Sequence, residues 1–154
     1  MTPELAKNIG IKKAIQSATI GLSIAFLFMT LLAGGSLLWM TDWNYWINII
    51  IGIVIFYGLA YLFGKNAGNE ILIKKMDSDK VGAKYGFLTL IITAFLVGWT
   101  GFVQEGMEPY DTFWDSFEDY IFKPFFWIMV IGILPARLVG MLFGKWIKKS
   151  CSNQ

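Results

Sequence analysis

The sequence predicts an all-α integral membrane protein, a four-transmembrane-helix bundle with an extra amphipathic helix at the interface between the third and fourth spans. Three observations predict this class. The 154 residues are 56% hydrophobic and only 16% charged, well below the roughly 25% charged share of soluble proteins. Four apolar segments reach about 20 residues, the length needed to cross about 30 Å of hydrocarbon. Lysines and carboxylates also fall in alternate connections between these segments.

The four spans form a single membrane domain over residues 1–154. They cover about residues 14–40, 44–63, 85–103 and 122–143, with a cytoplasmic loop at 64–84 and a cytoplasmic tail at 144–154. A cleaved signal peptide is the alternative for the first span, because basic residues precede an apolar run that reaches small residues at 33–36. That run is long for a signal peptide and has no clean cleavage site before a polar segment.

The distribution of charge predicts the orientation, since short cytoplasmic loops are rich in lysine and arginine. Three segments carry eleven lysines: Lys7, Lys12 and Lys13 near the N-terminus, Lys65, Lys74, Lys75, Lys80 and Lys84 in the loop, and Lys145, Lys148 and Lys149 in the tail. The other two connections carry Asp42 and six carboxylates between Glu105 and Asp119. We therefore expect both termini in the cytoplasm. The lysine-rich composition and compact loops are typical of a bacterial inner-membrane protein.

The amphipathic helix is predicted over residues 109–121. At about 100° per residue, one face is aromatic and another is acidic. The aromatic face carries Tyr110, Phe113, Trp114 and Phe117, and the acidic face carries Asp111, Asp115, Glu118 and Asp119. A helix this charged is expected in the outer interface or over the outer helix ends. Surface-seeking helices usually present basic residues to anionic lipid, so docking on the protein's own helices is favoured.

The like charges of the acidic face need an explanation. Asp115 repels Glu118 and Asp119 by about a few tenths of a kcal/mol per pair. A divalent cation or a basic partner would compensate, and a solvated outer face is the simpler interpretation. The chain has no histidine and a single cysteine, Cys151, so thiolate and imidazole ligands are scarce. We predict no metal and no cofactor.

The sequence ILPARLVG places the only arginine, Arg137, within the fourth span, about 12 Å of helix rise before Lys145. Pro135 removes a backbone donor and frees a carbonyl, so we predict a hinge there. A charge at this depth is a functional candidate. We predict an anion or lipid-phosphate site from Arg137 with the hydroxyls of Ser17 and Thr19. Snorkelling of the arginine to cytoplasmic headgroups is the alternative.

Small residues and hydroxyls concentrate in spans one and three, so we expect these spans at the bundle centre. Ordinary helix packing and a narrow polar path both explain the pattern. A path would need several copies of the chain, and we predict a homo-oligomer. A weak echo, GLAYLFGK at 58–65 and LVGMLFGK at 138–145, is compatible with a duplicated hairpin or with chance.

The spans hold no histidine, no cysteine and no interior carboxylate, so we predict that the protein is not an enzyme. A net charge of +2 argues against direct nucleic-acid binding. We predict a non-catalytic multi-pass subunit, a sensor, scaffold or anchor. It couples the outer acidic aromatic cap to a basic surface that docks a cytosolic protein, formed by Lys74, Lys75, Lys148 and Lys149. The alternative is a small oligomeric channel or transporter.

Overall fold

The described part of the chain, residues 1–32, 34–36, 43–105 and 112–152 of a computed structural model, is helical almost throughout. Five α-helices follow in order: α1 Pro3–Leu32, α2 Trp43–Gly68, α3 Ser78–Glu105, α4 Phe113–Phe117 and α5 Lys123–Ser152. Two π-helical turns extend them, π1 (Asn69–Ile73) after α2 and π2 (Glu118–Phe122) between α4 and α5. Four helical stretches are long and apolar enough to cross a membrane. This confirms the predicted all-α, multi-pass class.

The helices extend beyond the predicted spans toward the lysine-rich segments. α1 begins at Pro3 instead of near residue 14, and π1 carries the second helix to Ile73 instead of residue 63. The connection predicted at 64–84 is therefore mostly helical, and only residues 74–77 link π1 to α3. The 30 residues of α1 span about 45 Å, which exceeds the hydrocarbon thickness of about 30 Å.

The acidic segment differs from the free-standing helix that the sequence predicts. α4, π2 and α5 follow one another without a gap, so residues 113–152 form one continuous helical stretch. A reciprocal capping box begins it, in which the Asp115 amide donates to Thr112 Oγ1 (3.3 Å) and the Thr112 amide donates to Asp115 Oδ2 (3.0 Å). Two residues of the predicted faces, Tyr110 and Asp111, lie outside the described residues.

The four long helices pack as a ring. α1 contacts α2 and α5, and α3 also contacts α2 and α5. The expectation that spans one and three meet at the bundle centre is wrong, because α1 and α3 lie across the diagonal of the ring and do not form a packing pair. The second span is therefore not a purely lipid-facing helix, since it lies between α1 and α3.

Two close crossings join the helices in pairs near the lysine-rich segments. Gly10 of α1 lies so close to Gly64 and Gly68 of α2 that a Cβ on Gly10 would overlap the Gly64 carbonyl oxygen. In the second pair, a Cβ on Gly82 of α3 would overlap the Gly140 carbonyl oxygen of α5. Small residues allow membrane helices to approach in this way. The fold is thus two hairpins, α1 with α2 and α3 with α5.

The buried core lies beside these crossings. Ala6, Ala67 and Ile147 are 0% exposed, and Val81 is 2% exposed. By contrast, no residue of α1 after Ala18 is buried. Most buried residues thus lie in or next to the lysine-rich end, residues 3–13, 65–84 and 145–152, which we call the basic end, while Ser116 and Ile121 are buried toward the other end.

Candidate functional site

The basic end gathers eleven of the 13 Lys and Arg residues of the chain. Lys84 and Lys145 form salt bridges, each 3.4 Å long, with Glu70 and Asp79. Seven other lysines are exposed and form no ion pair with a described carboxylate: Lys12, Lys65, Lys74, Lys75, Lys80, Lys148 and Lys149. The four lysines of the predicted docking surface all belong to this unpaired set.

Lys74 and Lys75 belong to the short link between the two hairpins, and the backbone holds this link in place. The Lys74 amide donates to the Asn69 carbonyl (3.1 Å), and the Met76 amide donates to the Glu70 carbonyl (3.0 Å). Lys75 has φ of 53°, in the left-handed region that is uncommon for residues with a side chain. The link is thus a fixed turn that leaves both lysines in solvent.

Lys148 and Lys149 extend from the last turns of α5 and line a groove of about 470 Å³. The groove lies between the end of α5 and the start of α3. Its other lining residues are Asp77, Ser78, Asp79 and Lys145. The structure therefore places the second pair of predicted docking lysines next to carboxylates that the sequence reasoning did not single out.

Asp77 caps the N-terminus of α3. Its Oδ1 accepts hydrogen bonds from the amides of Lys80 (3.0 Å) and Asp79 (2.9 Å). These backbone donors hold the pKa of the Asp77 carboxyl below its usual value, because they stabilise its charged form. The Lys80 amide has the larger effect and the Asp79 amide the smaller. Asp77 is therefore a carboxylate at neutral pH, as an N-cap near the positive end of a helix requires.

A second polar cluster, which the sequence reasoning missed, joins the two hairpins. The side chain of Glu70, in π1, is 17% exposed, and its Oε1 accepts a 2.8 Å hydrogen bond from the Tyr85 hydroxyl of α3. Lys84 Nζ lies 4.7 Å from the centroid of the Tyr85 ring. The Phe63 ring of α2 packs on the same ring, with 5.3 Å between centroids. A lone carboxylate in the apolar sequence NEILI is the signal that points to this cluster.

We expect Tyr85→Phe to lower the free energy of unfolding by about 1.5 to 3 kcal/mol, the range for a hydrogen bond to a charged group. Loss of helicity during titration with sodium dodecyl sulfate, followed by circular dichroism, measures this change. Tyr61→Phe is the matched control, because Tyr61 lies on α2 and is 52% exposed. Equal effects of the two substitutions would contradict a linking role for Tyr85.

No hydrogen bond joins the three residues of the predicted anion site. Ser17 is 6% exposed inside the core, and its hydroxyl has no partner among the described residues. The Thr19 hydroxyl lies 2.9 Å from the Tyr57 hydroxyl. Arg137 is exposed on α5, the position that snorkelling requires. Pro135 lies inside α5, which continues on both sides of it, and the hinge stays a prediction.

The aromatic face of α4 packs on α3 at the opposite end of the bundle. The Phe113 ring centroid lies 5.7 Å from that of Phe102, and the Phe117 centroid lies 6.4 Å from that of Trp99. Trp114 is 72% exposed. Two of the predicted aromatic residues therefore contact the protein's own third helix, and Trp114 points away from it.

The charge of the acidic face is partly compensated within the described part of the chain. Lys123 forms ion pairs with Asp119 and with Glu118 (3.5 Å), and Asp115 is occupied by the capping box with Thr112. Lys123 therefore offsets part of the repulsion among three described carboxylates, and the choice between a bound cation and a solvated face stays a prediction.

The fold and the basic end define a class, an all-α protein with four candidate membrane spans and a lysine-rich, tightly packed end. Comparison with models of known families, with characterised proteins and with solved structures finds no match. Function is therefore inferred from the geometry of the described residues.

Proposed function

We propose that this protein is a non-catalytic multi-pass membrane subunit that docks an acidic cytosolic protein at its basic end. In this proposal the chain spans the bacterial inner membrane with both termini in the cytoplasm. The observation that carries it is that the four lysines of the predicted docking surface, Lys74, Lys75, Lys148 and Lys149, are all exposed at one end of the bundle and form no ion pair with a described carboxylate. Clustered like charges on a membrane protein favour an oppositely charged partner and speed its association.

The packing of the basic end supports a docking role. Five of the seven unpaired lysines stand on helices that cross at glycine contacts and bury Ala67, Val81 and Ile147 between them. The other two, Lys74 and Lys75, stand on the fixed turn between π1 and α3. A rigid frame fixes the spacing of the charges, so less ordering entropy is lost when a partner binds. Flexible tails with the same charges would lack this advantage.

The continuous helical stretch from Phe113 to Ser152 supports the coupling role. It connects the aromatic contacts of α4 at one end to Lys148 and Lys149 at the other. In our proposal, a ligand or partner at the outer segment shifts this stretch, and Pro135 supplies the deformable point. The proposal thus names an element through which the two ends influence each other.

The channel alternative has weaker support. The hydroxyls of Thr19, Ser23 and Thr89 donate to carbonyls of their own helices at 2.8 to 3.0 Å. Such bonds use the donor of each hydroxyl, so these three groups offer only acceptors to a polar path. A path between copies of the chain in a homo-oligomer is the remaining form of this alternative.

Charge reversal tests the docking proposal. We expect Lys148→Glu with Lys149→Glu to reduce co-purification of a stoichiometric partner in mild detergent by about tenfold or more, because attraction becomes repulsion. The matched control is Lys12→Glu with Lys65→Glu, two exposed lysines of the same end on α1 and α2, which should retain the partner. Equal loss from both pairs, or selective ion conductance by the purified protein in liposomes, would overturn the proposal.

A further inference from the structure

The groove between the start of α3 and the end of α5 carries charges of both signs on opposite sides. α5 contributes Lys145, Lys148 and Lys149, and the segment that begins α3 contributes Asp77 and Asp79. Most other lysines of the basic end stand without an ion pair, the salt bridge of Lys84 with Glu70 being the exception among the described residues. The groove is open at the surface, with a volume of about 470 Å³.

The charges of the groove are only partly satisfied by one another. Lys145 and Asp79 form a 3.4 Å salt bridge, whereas Lys148 and Lys149 form no ion pair with a described residue. Asp77 uses Oδ1 to cap α3, which leaves Oδ2 without a hydrogen bond from a described residue. The groove therefore offers two free cations and at least one free carboxylate oxygen to a ligand.

The position along the helices places the groove at the outer edge of the lipid headgroups. The apolar run of α5 ends near Phe143, so Lys145 to Lys149 lie about 3 to 9 Å beyond it. The apolar run of α3 begins near Tyr85, and Ser78 lies about 10 Å before it. The headgroup region extends about 5 to 8 Å on each side of the hydrocarbon. Lys145 and Lys148 lie within this depth and the remaining groove residues lie a few Å beyond it, so a headgroup can reach the groove from its membrane side.

We propose that this groove binds the phosphoethanolamine headgroup of a membrane phospholipid. Lys148 and Lys149 contact the phosphate, and Asp77 and Asp79 accept hydrogen bonds from the primary ammonium group. An anionic headgroup without an ammonium would meet the lysines but would leave the carboxylates of Asp77 and Asp79 without a donor, and a quaternary phosphocholine has no N–H to donate. The inference rests on the proposed function in placing the basic end at the membrane surface, but it requires no protein partner. Soluble phosphoethanolamine carries the same phosphate and ammonium groups and is a second source of this ligand.

Lipid retention by the purified protein tests this site. The protein is reconstituted in nanodiscs with equal shares of phosphatidylethanolamine, phosphatidylcholine and phosphatidylglycerol, and the lipids that stay bound after release into detergent are quantified by native mass spectrometry. We expect phosphatidylethanolamine to be retained about fivefold over phosphatidylcholine, the effect of one exposed ion pair.

Two double substitutions separate the two walls of the groove. Asp77→Asn with Asp79→Asn keeps an amide that caps α3 and should abolish the preference for phosphatidylethanolamine over phosphatidylcholine. Lys148→Gln with Lys149→Gln should lower retention of all three phospholipids. Lys74→Gln with Lys75→Gln removes the same charge outside the groove and should change nothing. Circular dichroism confirms that each variant is folded.

Three outcomes would overturn the inference: equal retention of phosphatidylethanolamine and phosphatidylcholine, an unchanged preference in the aspartate variant, or equal effects of the two lysine variants. If soluble phosphoethanolamine binds the protein in detergent and the aspartate variant loses this binding, the site is supported and its ligand is the soluble compound. These assays contain no cytosolic protein, so their failure would leave the docking proposal standing, and loss of the partner would leave the lipid site standing.

Discussion

Gly82→Ala is expected to lower the free energy of unfolding by about 3 kcal/mol, at the upper end of the range for overpacked sites. A Cβ at this position would overlap the carbonyl oxygen of Gly140 and come within 3.0 Å of the Gly144 amide nitrogen. Both obstacles are backbone atoms, which no rotamer change can move. Relief therefore requires α3 and α5 to separate, and their separation removes contacts along the whole crossing.

Gly101→Ala is the matched control for this prediction. Gly101 belongs to the same helix, and a Cβ there would meet nothing within 4 Å. Because glycine is a poorer helix former than alanine, Gly101→Ala should be neutral or stabilising by up to about 1 kcal/mol. Unfolding in sodium dodecyl sulfate, followed by circular dichroism, gives both values. Similar changes in the two variants would refute the close crossing of α3 and α5.

The first hairpin provides an independent repeat of the same experiment. A Cβ on Gly10 would overlap the carbonyl oxygen of Gly64, whereas a Cβ on Gly58 would meet nothing within 4 Å. Gly10→Ala should therefore destabilise the protein, and Gly58→Ala should not. Since the two crossings share few residues, the effects of Gly10→Ala and Gly82→Ala should be nearly additive.

The class of the fold could be predicted from the sequence because the length and composition of a membrane-crossing helix are set by the bilayer. The position of the lysines at one end of the bundle could also be predicted, because lysines and carboxylates occur in alternate connections between the spans. The helix limits could not be predicted in this way, because hydropathy marks where a chain can meet lipid and not where it stops being helical. Ala67 and Ile71 are buried by packing against other helices, and that packing extends α2 past residue 63.

The pairing of the helices was beyond sequence reasoning for a related reason. Glycine and alanine occur in all four spans, so their presence does not tell which helices meet. The echo in the sequence aligns Gly64 with Gly144. In the structure, Gly64 and Gly68 face Gly10 as Gly140 and Gly144 face Gly82. The two hairpins thus share a mode of packing, displaced by one helical turn from the alignment that the sequence suggests.

The candidate site was predicted in part. The charge of Lys148 and Lys149 identifies them in the sequence. The groove also requires Asp77 and Asp79, at the start of α3, to lie beside the end of α5, and this proximity depends on tertiary packing that the sequence pattern does not show. The contact between Glu70 and Tyr85 was missed because π1 changes the helical register just before the link. A π-helical turn rotates the following residues relative to a regular helix, and the hydrophobic periodicity of the sequence does not indicate where such a turn occurs.

Ile147→Ala is expected to lower the free energy of unfolding by about 2 to 5 kcal/mol, the range for truncating a large buried aliphatic side chain. Ile147 is 0% exposed and belongs to the core cluster with Ile71, Val81 and Phe143. Ile147 lies beyond the apolar run that ends near Phe143, so in the unfolded state its side chain is surrounded by water and lipid headgroups. Ile147→Ala therefore loses the free energy of transfer from water in addition to the free energy cost of the cavity. A buried residue that would face lipid in the unfolded state would lose little transfer free energy.

Leu138→Ala is the control on the same helix, because Leu138 is 61% exposed and should change stability by less than about 1 kcal/mol. Hydrogen exchange adds a local readout. In the Ile147→Ala variant, amides of residues 145–152 should exchange faster while those of the spans stay protected, since the basic end would open as a local unit. Equal destabilisation by the two substitutions, or unchanged exchange at 145–152, would show that the lysines do not stand on a packed frame.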